Sequence, residues 1–147
     1  MCSHWRSANG AKVYFVEARG IPMVDIRIVF NAGSARDAGK DGLAQLTATL
    51  LDKGVEGMDA NAIAMELESL GAQLGAGSAR DMAWVTLRSL SDPAMLEPAI
   101  RVFRKVLTEP TFPEKDMERE RQRMLVAVLQ SARPGAKQTA TVVVEPI

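Results

Sequence analysis

A hydrolytic or metal site needs donors that converge, and this chain of 147 residues has few strong ones: one histidine, His4, and one cysteine, Cys2. Zinc is held by imidazole, thiolate or carboxylate, three or more of them meeting at one point. The acids that could join His4, namely Asp41, Asp52 and Glu120, lack metal-ligand spacing. Ser34, Ser78 and Ser89 have no convincing histidine partner for nucleophilic catalysis. Gly71-Ala72-Gln73-Leu74-Gly75-Ala76-Gly77 is glycine-rich, but it lacks the spacing of a phosphate-binding loop and the Lys-Ser/Thr that follows one. The run Glu118-Arg119-Glu120-Arg121, with Arg123, reads as a solvated helix face with i,i+3 and i,i+4 ion pairs. Cys2 reads as a free thiol near a mobile end, with acylation or reactivity as the alternative. A lone cysteine excludes an internal disulfide.

The bulk properties narrow the classes further. Eighteen basic and eighteen acidic residues cancel, which gives no sign of nucleic acid or an anionic membrane as partner. An apolar content of 47% suits one domain with a real core. No apolar run approaches the ~18 residues of a membrane span, and Met1-Cys2-Ser3-His4-Trp5-Arg6 lacks the apolar stretch of a signal peptide.

The elements that would position any site follow from periodicity. Residues 12–17 and 24–30 read as strands, the second alternating Val24, Ile26, Ile28 and Phe30 on one face, and the pair suggests antiparallel neighbours. A helix is expected over 42–53, with Asp41 as its N-cap and Gly54 at C′. A second helix starts at Asp59 and ends at Gly71. Residues 73–78 form a small-residue strand or edge, and 82–90 a stronger strand. Ser91-Asp92-Pro93 opens a helix to about residue 107, with Leu96, Ile100, Phe103 and Leu107 as its apolar face. The last helix spans about 114–130, and residues 141–147 suggest a short strand. This order predicts an α+β fold, an antiparallel sheet with helices mainly on one face.

Several stretches are specific in combination: Gly33-Ser34-Ala35-Arg36, Gly42-Leu43-Ala44…Lys53-Gly54, Leu70-Gly71-Ala72, and Phe112-Pro113 followed by Glu118-Arg119-Glu120-Arg121. Together they resemble the insulinase/pitrilysin zinc peptidases from about residue 12 to residue 134. In that family a G-L-A-H-x-x-E-H-x-x-x-K-G segment carries two zinc-binding histidines and the general base. The resemblance implies a processing-peptidase-like metallohydrolase roll and vacated ligand and base positions at Gln45, Ala48 and Thr49. The third ligand, a glutamate on the last helix, falls at Ala127. Glu120 matches a retained acid beside the ligands. Ala has no donor, Thr cannot replace an imidazole, and an amide oxygen is a weak zinc ligand.

The resemblance implies more. Leu74, Gly75, Ala76, Gly77 and Ser78 match a sheet edge that pairs with extended peptides, where the glycines would leave room for a backbone. The plain alternative is a glycine-rich strand packed closely under a helix. The expected organisation is an N-terminal segment at 1–11, a partial peptidase-like N-terminal domain at 12–134 and a tail at 135–147 without family match. Bacterial short forms pair an H-x-x-E-H chain with an inactive one, so the first reading is a non-catalytic subunit or domain. It would complete an active zinc peptidase partner, or self-associate, and would hold no cofactor itself; zinc is expected only in the partner. The alternatives are a scaffold or binding module of this fold without a peptidase partner, and a peptidase with other ligands. Analogy with exported bacterial forms points to the periplasm, with the cytoplasm as the alternative.

Overall fold

The structure, a computed structural model, describes residues 2–131. The centre of the fold is a three-stranded antiparallel sheet in the order β3 (Met23–Phe30), β7 (Ala83–Leu90), β6 (Gln73–Ser78). Its two faces differ because side chains alternate along each strand. Val85, Leu87 and Ser89 of β7 are buried, with Ile26, Ile28, Leu74 and Ala76 partly buried beside them. Trp84, Thr86 and Arg88 occupy the other, open face, where Arg88 donates to Asp25 at 2.7 and 3.0 Å. There the Arg27 guanidinium lies 4.9 Å over the Trp84 ring.

Helices α2 (Ala60–Ser69) and α3 (Pro93–Thr108) cover the buried face, through Ile63 and Leu67 of α2 and Ala99, Val102, Phe103 and Val106 of α3. Both start as the sequence predicts. The Asp59 carboxylate accepts from the Ala62 amide at 2.8 Å, and the Asp92 carboxylate from the Ala94 amide at 2.9 Å. Helix α1 (Leu43–Leu50) lies against β6 and β7, and α4 (Glu114–Ser131) packs on α1. A small antiparallel pair, β4 (Gly54–Val55) and β5 (Met58–Asp59), joins α1 to α2. The α+β expectation holds.

Four expectations need correction. The strand at 12–17 does not neighbour β3. It is β2 (Lys12–Val16) and pairs with β1 (Cys2–Arg6), so the supposed mobile end is a strand. The Ser7–Ala11 turn brings the two together, with the Ser7 amide donating to the Ala11 carbonyl at 2.9 Å. Asp41 does not cap α1, which starts at a left-handed Gly42 (φ 94°) with the Asp37 carboxylate accepting from the Gly42 and Ala44 amides, each at 3.0 Å. Gly54 is a β4 residue rather than a C′ residue. It sits against Thr111 and Pro113, where a Cβ would come within 2.6 Å of Thr111 Oγ1. The buried stripe of α3 is Ala99, Val102, Phe103 and Val106, while Ile100 is exposed. Two apolar stripes overlap on this helix, and the one with the smaller residues lets the helix approach β7 more closely. The suggested strand at 141–147 lies outside the described residues.

Candidate functional site

Helix α1 gathers the three positions singled out in the sequence. Gln45, Ala48 and Thr49 are spaced i, i+3, i+4 and so share a side of the helix. Gln45 is exposed, Ala48 is buried and Thr49 is half-buried. The Thr49 hydroxyl donates to the Gln45 carbonyl at 2.9 Å, back-bonding to its own helix. Ala48 borders an apolar cavity of about 390 Å³ whose walls include Phe30, Leu43, Leu51 and Trp84. The side chains present do not fit zinc: one weak amide donor, one hydroxyl already engaged and one methyl.

Helix α4 brings its acid to the same neighbourhood. Its stripe of half-buried and buried residues, Asp116, Glu120, Met124 and Val128, follows the helical period, and Met124 reaches Gly42 at the start of α1. A Cβ on Gly42 would stand 3.1 Å from the Met124 Cε. Glu120 is only 3% exposed, so the charged run is not uniformly solvated as the sequence suggested. Its carboxylate is paired with Arg123 Nη1 at 3.1 Å and Arg119 Nε at 3.4 Å, and Arg119 also reaches Asp116 at 2.6 Å. A buried charge needs such partners. Ala127 lies two turns beyond Glu120 and is exposed, with no donor to offer.

The other sequence candidates do not join this neighbourhood as a donor set. His4 is exposed on β1 with its ring 6.3 Å from that of Tyr14, and Asp52 pairs with Lys53 at 2.8 Å. Among the described residues, no three His, Cys, Asp or Glu side chains come together as a metal cluster.

Strand β6 is an edge of the three-stranded sheet among the described residues. Its glycines have a reason that the sequence did not supply. A Cβ on Gly77 would lie 2.6 Å from the Trp84 ring, and one on Gly75 would lie 2.9 Å from Thr86 Oγ1. The space is therefore filled by cross-strand side chains of β7 on the open face. The Thr86 hydroxyl also donates to the Gly75 carbonyl at 3.3 Å. Beside Leu74, a second pocket of about 530 Å³ runs between α2 and β6, lined in part by Ile63, Leu67 and Gln73.

Sequence reasoning missed Asp37 as the residue that seats α1. The signal was available: Asp37 directly follows Gly33-Ser34-Ala35-Arg36, one of the stretches that carry the family resemblance.

Residues 12–139 match the family model of the insulinases, peptidase family M16. This chain belongs to that family. A non-peptidase homologue from Helicobacter pylori (strain ATCC 700392 / 26695), YmxG, is 30% identical over 125 residues, 83% of this chain and 28% of its own length. A crystal structure of a peptidase M16 inactive domain from Pseudomonas fluorescens is 44% identical, with a TM-score of 0.87 over 90% of this chain and 32% of that one. A protease from Helicobacter pylori shares the fold at 18% identity, with a TM-score of 0.71 over 89% of this chain and 30% of its own. The chain thus spans about a third of the length of these proteins. Among its described residues, no helix is long and apolar enough to cross a membrane.

Proposed function

We propose that this M16 chain is a non-catalytic subunit or domain that pairs with an active zinc peptidase and helps it hold extended peptides. The observation that carries the reading is the state of α1: the Thr49 hydroxyl is engaged with Gln45, and Ala48 is buried where a general base would stand. Without a metal-bound water and a base beside it, no hydroxide forms to attack a peptide bond. The two relatives described as non-peptidase or inactive support the same reading. Peptide holding at Leu74 to Ser78 is supported by the edge position of β6 and by the adjacent pocket, which would take alternate side chains of an added strand.

The test is a quenched-fluorescence peptide assay with Zn²⁺ on the purified chain, alone and mixed with an H-x-x-E-H chain of its host. No cleavage alone and faster cleavage by the mixture than by the partner alone is the expected result. Cleavage by this chain alone would falsify the reading. A mixture no faster than the partner would favour a scaffold without a peptidase partner.

A further inference from the structure

The loop that joins β1 to β2 holds Asn9-Gly10, the one place in the chain where glycine follows asparagine. We propose that this dipeptide is a self-modification site. The Gly10 nitrogen displaces the Asn9 side-chain amide when the turn opens, and the isoaspartate that results unties the hairpin for good.

The step is intramolecular and uses only water as co-reactant. The Gly10 nitrogen gives its proton to a solvent base and attacks Asn9 Cγ. The new N–Cγ bond closes a succinimide ring, the Cγ–Nδ2 bond breaks, and Nδ2 takes up a proton and leaves as ammonia. Water then opens the ring. Addition at Cγ gives aspartate at position 9. Addition at the main-chain carbonyl carbon of Asn9 gives isoaspartate, whose main chain runs through Cγ and gains a methylene. Tethering the two groups makes the attack unimolecular, and a following glycine has no Cβ to hinder it. The other two asparagines, Asn31 and Asn61, precede Ala32 and Ala62, whose methyl groups crowd the same approach. The Ala62 amide is also held by the Asp59 carboxylate at 2.8 Å, inside the first turn of α2.

The closed turn acts as a gate on this chemistry. The Gly10 amide donates to the Ser7 carbonyl at 2.8 Å, so the nucleophile is engaged. Asn9 Oδ1 accepts from the Ser7 hydroxyl and, at 3.4 Å, from the Ala11 amide, so the electrophile is held as well. Gly10 sits at φ 84°, the left-handed residue that follows the turn in this class of hairpin loop. Reaction therefore waits on local opening. Little resists that opening: Ala8, Asn9 and Gly10 are exposed, and among the described residues no atom lies within 4 Å of where a Gly10 Cβ would stand. Isoaspartate then prevents reclosure. An extra methylene between Ser7 and Gly10 breaks the span that their hydrogen bond closes, and with it the register that sets Arg6 against Lys12 and Trp5 against Val13. The hairpin thus carries a one-way clock that advances with each opening of its turn.

The experiment stores the full chain at neutral and at mildly alkaline pH and follows the peptide that holds Asn9 by mass spectrometry. The signal is the mass gained when NH2 is replaced by OH, and fragmentation separates aspartate from isoaspartate. Conversion at Asn9 should outpace that at Asn31 and Asn61 severalfold, and it should quicken as pH rises, because the attacking nitrogen must be deprotonated. Gly10→Ala should slow it severalfold, even though a Cβ at that φ loosens the turn. Ser7→Ala should quicken it, because the turn loses a hydroxyl contact while the reacting atoms are unchanged. In the isoaspartyl fraction, the amides of β1 and β2 should lose hydrogen-exchange protection. An Asn9 that survives as long as Asn31 and Asn61 would overturn the proposal. So would Gly10→Ala converting as fast as the wild type, Ser7→Ala converting no faster, or a hairpin that stays protected after conversion.

Discussion

At the scale of single residues, Asp37 connects the loop to the helix that defines the site. Its carboxylate satisfies two amides at the start of α1, donors that the helix cannot satisfy internally. Asp37→Ala should cost about 1–2 kcal/mol in chemical denaturation, as for other lost N-caps, whereas Asp41→Ala should stay within about 0.5 kcal/mol. Equal effects from the two would show that Asp37 does not seat the helix. Ser89 is fully buried in β7, and its hydroxyl has no hydrogen-bond partner among the described residues. Ser89→Ala should therefore leave the melting temperature unchanged or raise it, because a buried hydroxyl without a partner carries an uncompensated desolvation cost. Gly77→Ala should destabilise by about 1–3 kcal/mol, since its Cβ would stand 2.6 Å from the Trp84 ring. In the Trp84→Ala background the same change should cost far less, and a double-mutant cycle reads the difference.

Among the elements, α4 carries the clearest titration signature. Glu118 accepts from Arg121 at 2.8 and 2.9 Å and from Gln122 at 2.8 Å. The Arg121 bond, then the Gln122 bond, hold its carboxyl down from the usual 4.5 to about 2. The folded value lies below the unfolded one, so this contribution is complete above pH 4.5 and is lost as pH falls through about 2. An NMR titration should show Glu118 ionised down to about pH 2, and Arg121→Gln should move its midpoint back up toward 4.5. An unchanged midpoint would show that the pair does not form in solution. Both partners are solvent-exposed, so the effect on global stability is small. On α1, the helical period aligns Gln45, Ala48 and Thr49 on one side. Burial of Ala48 and Leu50 and the Asp37 cap keep the helix in place.

For the molecule as a whole, stability is unevenly distributed. Strand β7 is paired on both sides and buried under α3, whereas among the described residues the β1–β2 hairpin is paired only with itself and exposes Trp5, Tyr14 and Phe15. A two-stranded hairpin alone is marginal in water. Native-state hydrogen exchange should therefore give the amides of Val85 and Leu87 the highest protection and those of β1 and β2 much lower protection. Equal protection would mean that the hairpin is docked more firmly than its exposure indicates.

The sequence determined what local chemistry can determine. The carboxylates of Asp59 and Asp92 fixed two helix starts, alternation marked β3, and the flanks of α1 disclosed the family. The chemical inventory at 45, 48 and 49 was also legible, because a missing donor is a property of residue type. Only the tertiary structure decided which strands are neighbours, since β2 finds β1 while β3 finds β7, and strand periodicity is silent about partners. It also decided that Asp37 rather than Asp41 seats α1, that Glu120 is buried within a run of charges, and that Gly75 and Gly77 make room for Thr86 and Trp84. Each of these depends on what lies across a gap in space, and spacing along a chain carries that information only where the gap closes within a turn or two.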